Sequence, residues 1–201
     1  MARRELSQDP RAVKTRNAII KTTTELLNEH RVEDITVSQI VNAAGMSRQV
    51  FYEHFKDRDA AVKAAIQRAM APAVNDYIET YKKTGEMPPA LEALFSQLAE
   101  VRCLLSHVIN GPAHATLMAC FTTPEMPMLH DMVTAMRAEV VPMTDEEAAD
   151  VASYLCSGAF SIFMKSATES ENYEEAVKRA MSVFGVFGRA MSLPQWGILH
   201  S

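Results

Sequence analysis

Apolar residues along this chain recur at three- and four-residue spacing almost throughout, and no convincing period-two run interrupts them. The pattern predicts an all-α protein. Asp9-Pro10 supplies an N-cap and a proline at the first helical position. The helix that follows turns Ile19, Ile20, Thr23, Leu26 and Leu27 inward. A second helix is expected from Thr36, where TVSQ has the T-x-x-Q form of a capping box. Val37, Ile40, Val41 and Ala44 then fall at i, i+3, i+4 and i+7, so this short helix buries one side. Gly45 ends it, Ser47 caps a third helix running to about Phe55, and Asp57 caps a fourth reaching toward Tyr81. Pro72 lies inside the fourth helix and should kink it. After the break KKTGEMPPA (82–90), helices are expected at about 89–109, 112–121, 125–140, 144–169 and 172–191, followed by an irregular tail.

Two short helices joined by a glycine turn and preceded by a longer one have the layout of a DNA-binding helix-turn-helix. Such a unit needs a third helix with one apolar side and one side rich in donors and acceptors. Val50, Phe51 and Phe55 supply the apolar side, which leaves Arg48, Gln49, Tyr52, Glu53 and His54 for the outside. Arg pairs bidentately with guanine and Gln with adenine, each pair worth roughly 1–3 kcal/mol of discrimination. Tyr52, Lys56 and Arg58 suit phosphates. An ordinary helical hairpin with a solvated polar face would satisfy the same spacing.

The charge distribution fits either an anionic partner at the N-terminal end or a frayed basic tail. Overall net charge is −5, yet residues 1–24 carry six Lys/Arg against two acids, while residues from 61 onward carry ten basic and sixteen acidic side chains. A basic front on an acidic body suits an anionic partner met at the N-terminal end. No stretch approaches a membrane span or a signal peptide, and Cys103, Cys120 and Cys156 read as reduced core residues of a cytoplasmic protein. No glycine-rich phosphate loop, nucleophile elbow or HExxH motif is present. The carboxylate pairs Glu146-Glu147 and Glu174-Glu175 fall at helix starts, where the helix dipole accounts for them. No catalytic residues and no cofactor are expected. Cys103 and His107 stand four apart, but no further ligand has metal-site spacing, so no metal site is expected either.

The run TVSQIVNAAGMSRQVFYEHFKDRDAAVKAAI resembles the N-terminal domain of the tetracycline-repressor (TetR) family of bacterial transcription regulators. The likeness rests on Thr36-Val37, Ile40, Ala44-Gly45, Ser47, Phe51-Tyr52, Phe55 and Arg58, and it covers about residues 11–66. Two positions depart from the family pattern. Arg31 stands where glycine usually follows the first helix, so either a left-handed arginine costs about 1 kcal/mol or the helix ends differently. Val50 replaces a Thr or Ala that can contact a base.

The resemblance implies a homodimeric, all-helical regulator, with a DNA-binding domain at residues 1–56 and an effector-binding and dimerisation domain at 57–201. It implies DNA contacts from Thr36, Ser47, Arg48, Gln49, Tyr52, His54, Lys56 and Arg58. The partners it implies are an operator duplex and a small apolar or amphipathic effector. The Met- and aromatic-rich middle offers Tyr77, Phe95, His107, Met118, Phe121, Met132, Phe160 and Met164 as candidate ligand contacts. Stripes on the last two helices, including Leu155, Ala159, Ile162, Val177, Phe184 and Gly188, are the candidate dimer interface. Two alternatives stand beside this reading: a DNA binder governed by a protein partner or metal, and a small helical enzyme carrying a similar hairpin.

Overall fold

The computed structural model describes residues 9–120, 143–147, 150, 151, 154, 157, 158, 161, 162, 164, 175, 178, 179 and 182. All secondary structure among them is helical. In chain order the helices are α1 (Pro10–Glu29), α2 (Val37–Ala43), α3 (Arg48–His54), α4 (Arg58–Thr84), α5 (Met87–Glu100), α6 (Arg102–Val108) and α7 (His114–Ala119). The described positions from Asp145 to Met164, and those at 175, 178, 179 and 182, are helical too.

Local chemistry sets each early boundary. The Asp9 carboxylate accepts from the Arg11 N–H at 2.9 Å, opening α1 as expected. Helix α1 ends through His30 and Arg31, both extended, with Arg31 at φ −68° and ψ 154°. The departure at Arg31 therefore needs no left-handed residue. A single 3-10 turn, Val32–Asp34, follows and buries Val32. At α2 the capping box forms in full. Gly45 takes φ +64°, its N–H bonding Asn42 O while the Met46 N–H bonds Val41 O. This Schellman arrangement satisfies carbonyls that the helix end would orphan. Ser47 caps α3 through the Val50 N–H, and Asp57 accepts from the Ala60 N–H at 2.8 Å at the start of α4.

Helices of seven residues such as α2 and α3 are too short to persist alone, so packing must hold them. Packing groups the chain up to Pro72 with Glu100–Leu117 in one compact unit, and Ala73–Ala99 with residues from Met118 onward in a second. The core of the first unit includes Ile19, Ile20, Leu27, Val32, Ile35, Ile40, Phe51, Phe55, Ile66 and Met70. Helix α6 packs on α1, adding Leu104, Leu105 and Val108, and the His107 Nδ1 lies 2.9 Å from Leu27 O. An N–H there satisfies a carbonyl in the last turn of α1 that lacks an intrahelical donor. In the second unit α4 buries Ala73 and Tyr77, α5 buries Leu91, Leu94, Phe95 and Leu98, and Gln97 donates to Asp76 at 2.7 Å.

Two expectations need correction. The helix predicted over 89–109 is broken at Val101, whose φ −109° and ψ 20° separate α5 from α6. Apolar spacing runs through the break by way of Leu94, Leu98, Val101 and Leu105, which is why periodicity missed it. Cys103, expected in the core, is exposed because its helix turns Leu104, Leu105 and Val108 inward instead. Pro72, as expected, lies within a continuous α4.

Candidate nucleic-acid interface

Helix α3 presents the chemistry anticipated from its sequence, with one exception. Phe51 and Phe55 are fully buried, with ring centroids 5.8 Å apart. They fix the helix against the unit's core. Ser47, Arg48 and Gln49 are exposed at its N-terminal end, and Tyr52 is 50% exposed. The Tyr52 ring stands edge-on to Phe51 at 5.4 Å, a contact that restricts its direction. The Arg48 guanidinium donates through Nη2 to the Ser38 hydroxyl of α2, so one corner is tied and its other N–H groups remain available.

The exception is His54, expected on the outer face but only 2% exposed. It stands at i+3 from Phe51 and one residue before Phe55, the register of the buried stripe. Its polarity had argued for the outside, whereas helical geometry places it inside.

Thr36 and Arg58 also play parts other than those expected. The Thr36 hydroxyl donates to Gln39 Oε1 at 2.7 Å and its backbone N–H donates to the same oxygen at 2.8 Å. Both donors of Thr36 are thus engaged within the capping box, which leaves none for a phosphate. Arg58 folds back into its own unit. Its Nη1 donates to Val32 O at 3.0 Å and Ile35 O at 3.3 Å, and its guanidinium also pairs with Asp59. With its side chain 27% exposed, Arg58 braces the 3-10 turn that precedes the α2 cap. Lys56 is the more open cation, its side chain 67% exposed and 4.0 Å from Asp57.

Of the candidate effector contacts, Tyr77, Phe95 and Met164 are buried and Met118 is half-buried, all in the second unit. His107 belongs to the first unit, where its ring faces Leu27 O. Phe121, Met132 and Phe160 lie outside the described residues. Among the interface candidates Ile162 is half-buried, and Leu155, Ala159, Val177, Phe184 and Gly188 lie outside the described residues. No group of three or more His, Cys, Asp or Glu among the described residues is arranged to hold a metal ion. No described helix is long and apolar enough to cross a membrane.

A three-helix DNA-binding helix-turn-helix carried on an otherwise helical chain is the class that this fold and face define. Residues 19–65 match the family model for bacterial regulatory proteins, tetR family. The matched segment runs from the middle of α1 into α4. Among solved structures, a protein assigned to the tetR family of transcription regulators from Shewanella sp. PV-4 is similar with a TM-score of 0.61 and 11% identity. That likeness covers 88% of this chain and 97% of that one, and it extends the shared fold beyond the matched segment. The TetR family repressor AlkX from Dietzia sp. strain DQ12-45-1b, implicated in biodegradation of n-alkanes, gives a TM-score of 0.48 and 17% identity over 87% and 95%. A gamma-butyrolactone receptor described as ArpA-like gives 0.36 and 20% over 88% and 98%. No curated protein matches the chain.

Proposed function

We propose that this chain is a transcription regulator of the tetR family, a cytoplasmic homodimeric repressor whose α3 reads the major groove, and that a small apolar or amphipathic molecule releases it from its operator. The observation that carries the DNA-reading part is the exposure of Ser47, Arg48, Gln49 and Tyr52 on a helix whose buried side is fixed by Phe51 and Phe55. Arg48 and Gln49 have the bidentate chemistry for guanine and adenine edges. Ser47, Tyr52 and Lys56 are suited to phosphate oxygens, which set register without reading sequence. Supporting the dimer is the geometry of such readers, which engage two half-sites about 34 Å apart.

The effector role is assigned to the second unit, whose apolar groups include Tyr77, Phe95 and Met164. Division of labour follows the sequence: residues 1–56 meet DNA, and the region 57–201 holds the effector-binding unit and pairs the subunits. Helix α4 passes from one compact unit into the other at Pro72, where proline removes a backbone hydrogen bond. A ligand preferring one setting of α4 over another would shift the spacing of the two α3 helices, and differential affinity is all such a switch requires.

Selection of bound sequences from random duplexes tests this reading. A two-fold-symmetric motif with half-sites one turn apart is the expected result. Failure to enrich any sequence, with binding insensitive to salt, would reject it.

A further inference from the structure

Arg16 occupies a position that the packing of α1 does not account for. The inward register of this helix runs through Ala12, Ile19, Ile20, Thr23 and Leu27, all buried. Arg16 stands four residues after Ala12 and three before Ile19, so it lies in that same stripe, a charge where apolar groups are the rule. A guanidinium drawn toward a core normally finds a carboxylate there. Arg16 has none among the described residues, and its Nε is buried without a hydrogen-bond partner. What it has is a ring: the guanidinium carbon sits 4.6 Å from the centroid of Phe55.

That contact decides where the charge is delivered. Phe55 is the residue on which α3 terminates, and Lys56, with its exposed side chain, comes next. Stacking on an aromatic face occupies the flat side of the guanidinium and leaves the charge unneutralised and the outer N–H edge open. Phe55 is itself buried, so the platform is rigid, and a group held in place loses little freedom on binding. The site is thus a stacked arginine beside the end of the recognition helix, next in chain to a second open cation.

We propose that Arg16 is a DNA-backbone ligand: aimed by Phe55 and acting with Lys56, it binds a phosphodiester group beside the C-terminal end of α3. The inference rests on the DNA-reading assignment above. A phosphate contact is independent of sequence, so no operator is needed for the test. The full chain is titrated against a fluorescein-labelled random-sequence duplex of about 30 base pairs over a series of KCl concentrations. Arg16→Gln is expected to lower the slope of log K against log salt by about 0.9, with roughly three- to tenfold weaker binding at the lowest salt. Arg16→Lys keeps the charge and is expected to keep the slope.

If Arg16→Gln does not fold, Arg16→Met retains the apolar stem and supplies the uncharged comparison. A neutral variant that keeps the wild-type slope while its melting temperature falls would make Arg16 a packing residue and overturn the inference alone. A wild-type chain whose duplex binding has no salt dependence would overturn both this inference and the DNA-reading assignment.

Discussion

The stretch from Asp9 to Ala60 and the stretch from Met87 to Ala119 are both helical, but α6 in the second begins differently from the α-helices of the first. In the first, four successive helices open on a side-chain oxygen that accepts a backbone N–H, from Asp9, Thr36, Ser47 and Asp57. In the second, α6 opens at Val101, which offers no such bond, and α5 is held by a row of buried Leu, Phe and Ala side chains. Directional bonds fix where a helix starts to within a residue; apolar burial fixes which side faces inward and tolerates a shift along the axis. A segment that must present particular side chains to particular bases needs the first kind of control.

The largest effect expected from breaking this arrangement is in α3 itself. Phe51 is wholly buried where α3 meets the rest of its unit. Phe51→Ala should lower stability by about 3–5 kcal/mol in denaturant melts, because lost transfer energy adds to an unfilled cavity. A loss below about 1 kcal/mol would mean that α3 is held by its caps rather than by its rings.

Arg58 separates bracing from DNA contact. Its substitution by alanine removes a charged donor from Ile35 O and from Val32 O, of which Val32 O keeps the Ile35 N–H, and should cost about 2 kcal/mol. Because the guanidinium turns inward, the salt slope of duplex binding should stay at its wild-type value once measured under folded conditions. A slope reduced by about 0.9 would return Arg58 to the phosphate contacts.

Gln49 tests the opposite property. Its side chain is exposed, so Gln49→Ala should leave the melting temperature nearly unchanged. Its predicted effect is on choice: about 1–2 kcal/mol of discrimination lost at one base pair of the selected motif, with affinity for other sequences preserved. Uniform weakening across all sequences would place Gln49 on the backbone.

The same contrast explains what could be read from the chain beforehand. Caps and turns are written in short local patterns, so Asp9-Pro10, TVSQ, Gly45, Ser47 and Asp57 each marked their boundary correctly. The break at Val101 carries no such mark, since no Gly, Pro or capping residue stands there. Side-chain roles were harder still. Thr36 and Arg58 were identified by residue type; the Thr36 donors are taken by Gln39 three residues on, whereas the place of Arg58 depends on neighbours far along the chain. Arg58 meets carbonyls 23 and 26 residues away. His54 and Arg16 are legible in principle, because helical register alone puts both on apolar stripes; for His54 its polarity argued the other way.

The smallest effect compares one motif in two places. Thr36 with Gln39, and Thr144 with Glu147, form capping boxes of nearly the same geometry. The threonine N–H reaches the side-chain oxygen at 2.8 and 2.7 Å respectively, and the return bond to the threonine hydroxyl is 3.2 Å in each. The first box is neutral and the second ends in a carboxylate. Glu147 is held below its ordinary value of 4.5, chiefly because its carboxylate accepts the Thr144 backbone N–H and secondarily because it accepts the Thr144 hydroxyl. A group whose value falls on folding adds stability that is present above 4.5 and is lost as pH drops through the lowered folded value. The Thr144 amide should therefore lose hydrogen-exchange protection in acid, while the Thr36 amide, paired to an uncharged glutamine, should not respond through its box. Glu147→Gln converts the second box into a copy of the first. It should remove the acid sensitivity at Thr144 without removing the cap, and persistence of that sensitivity would assign it to another titrating group.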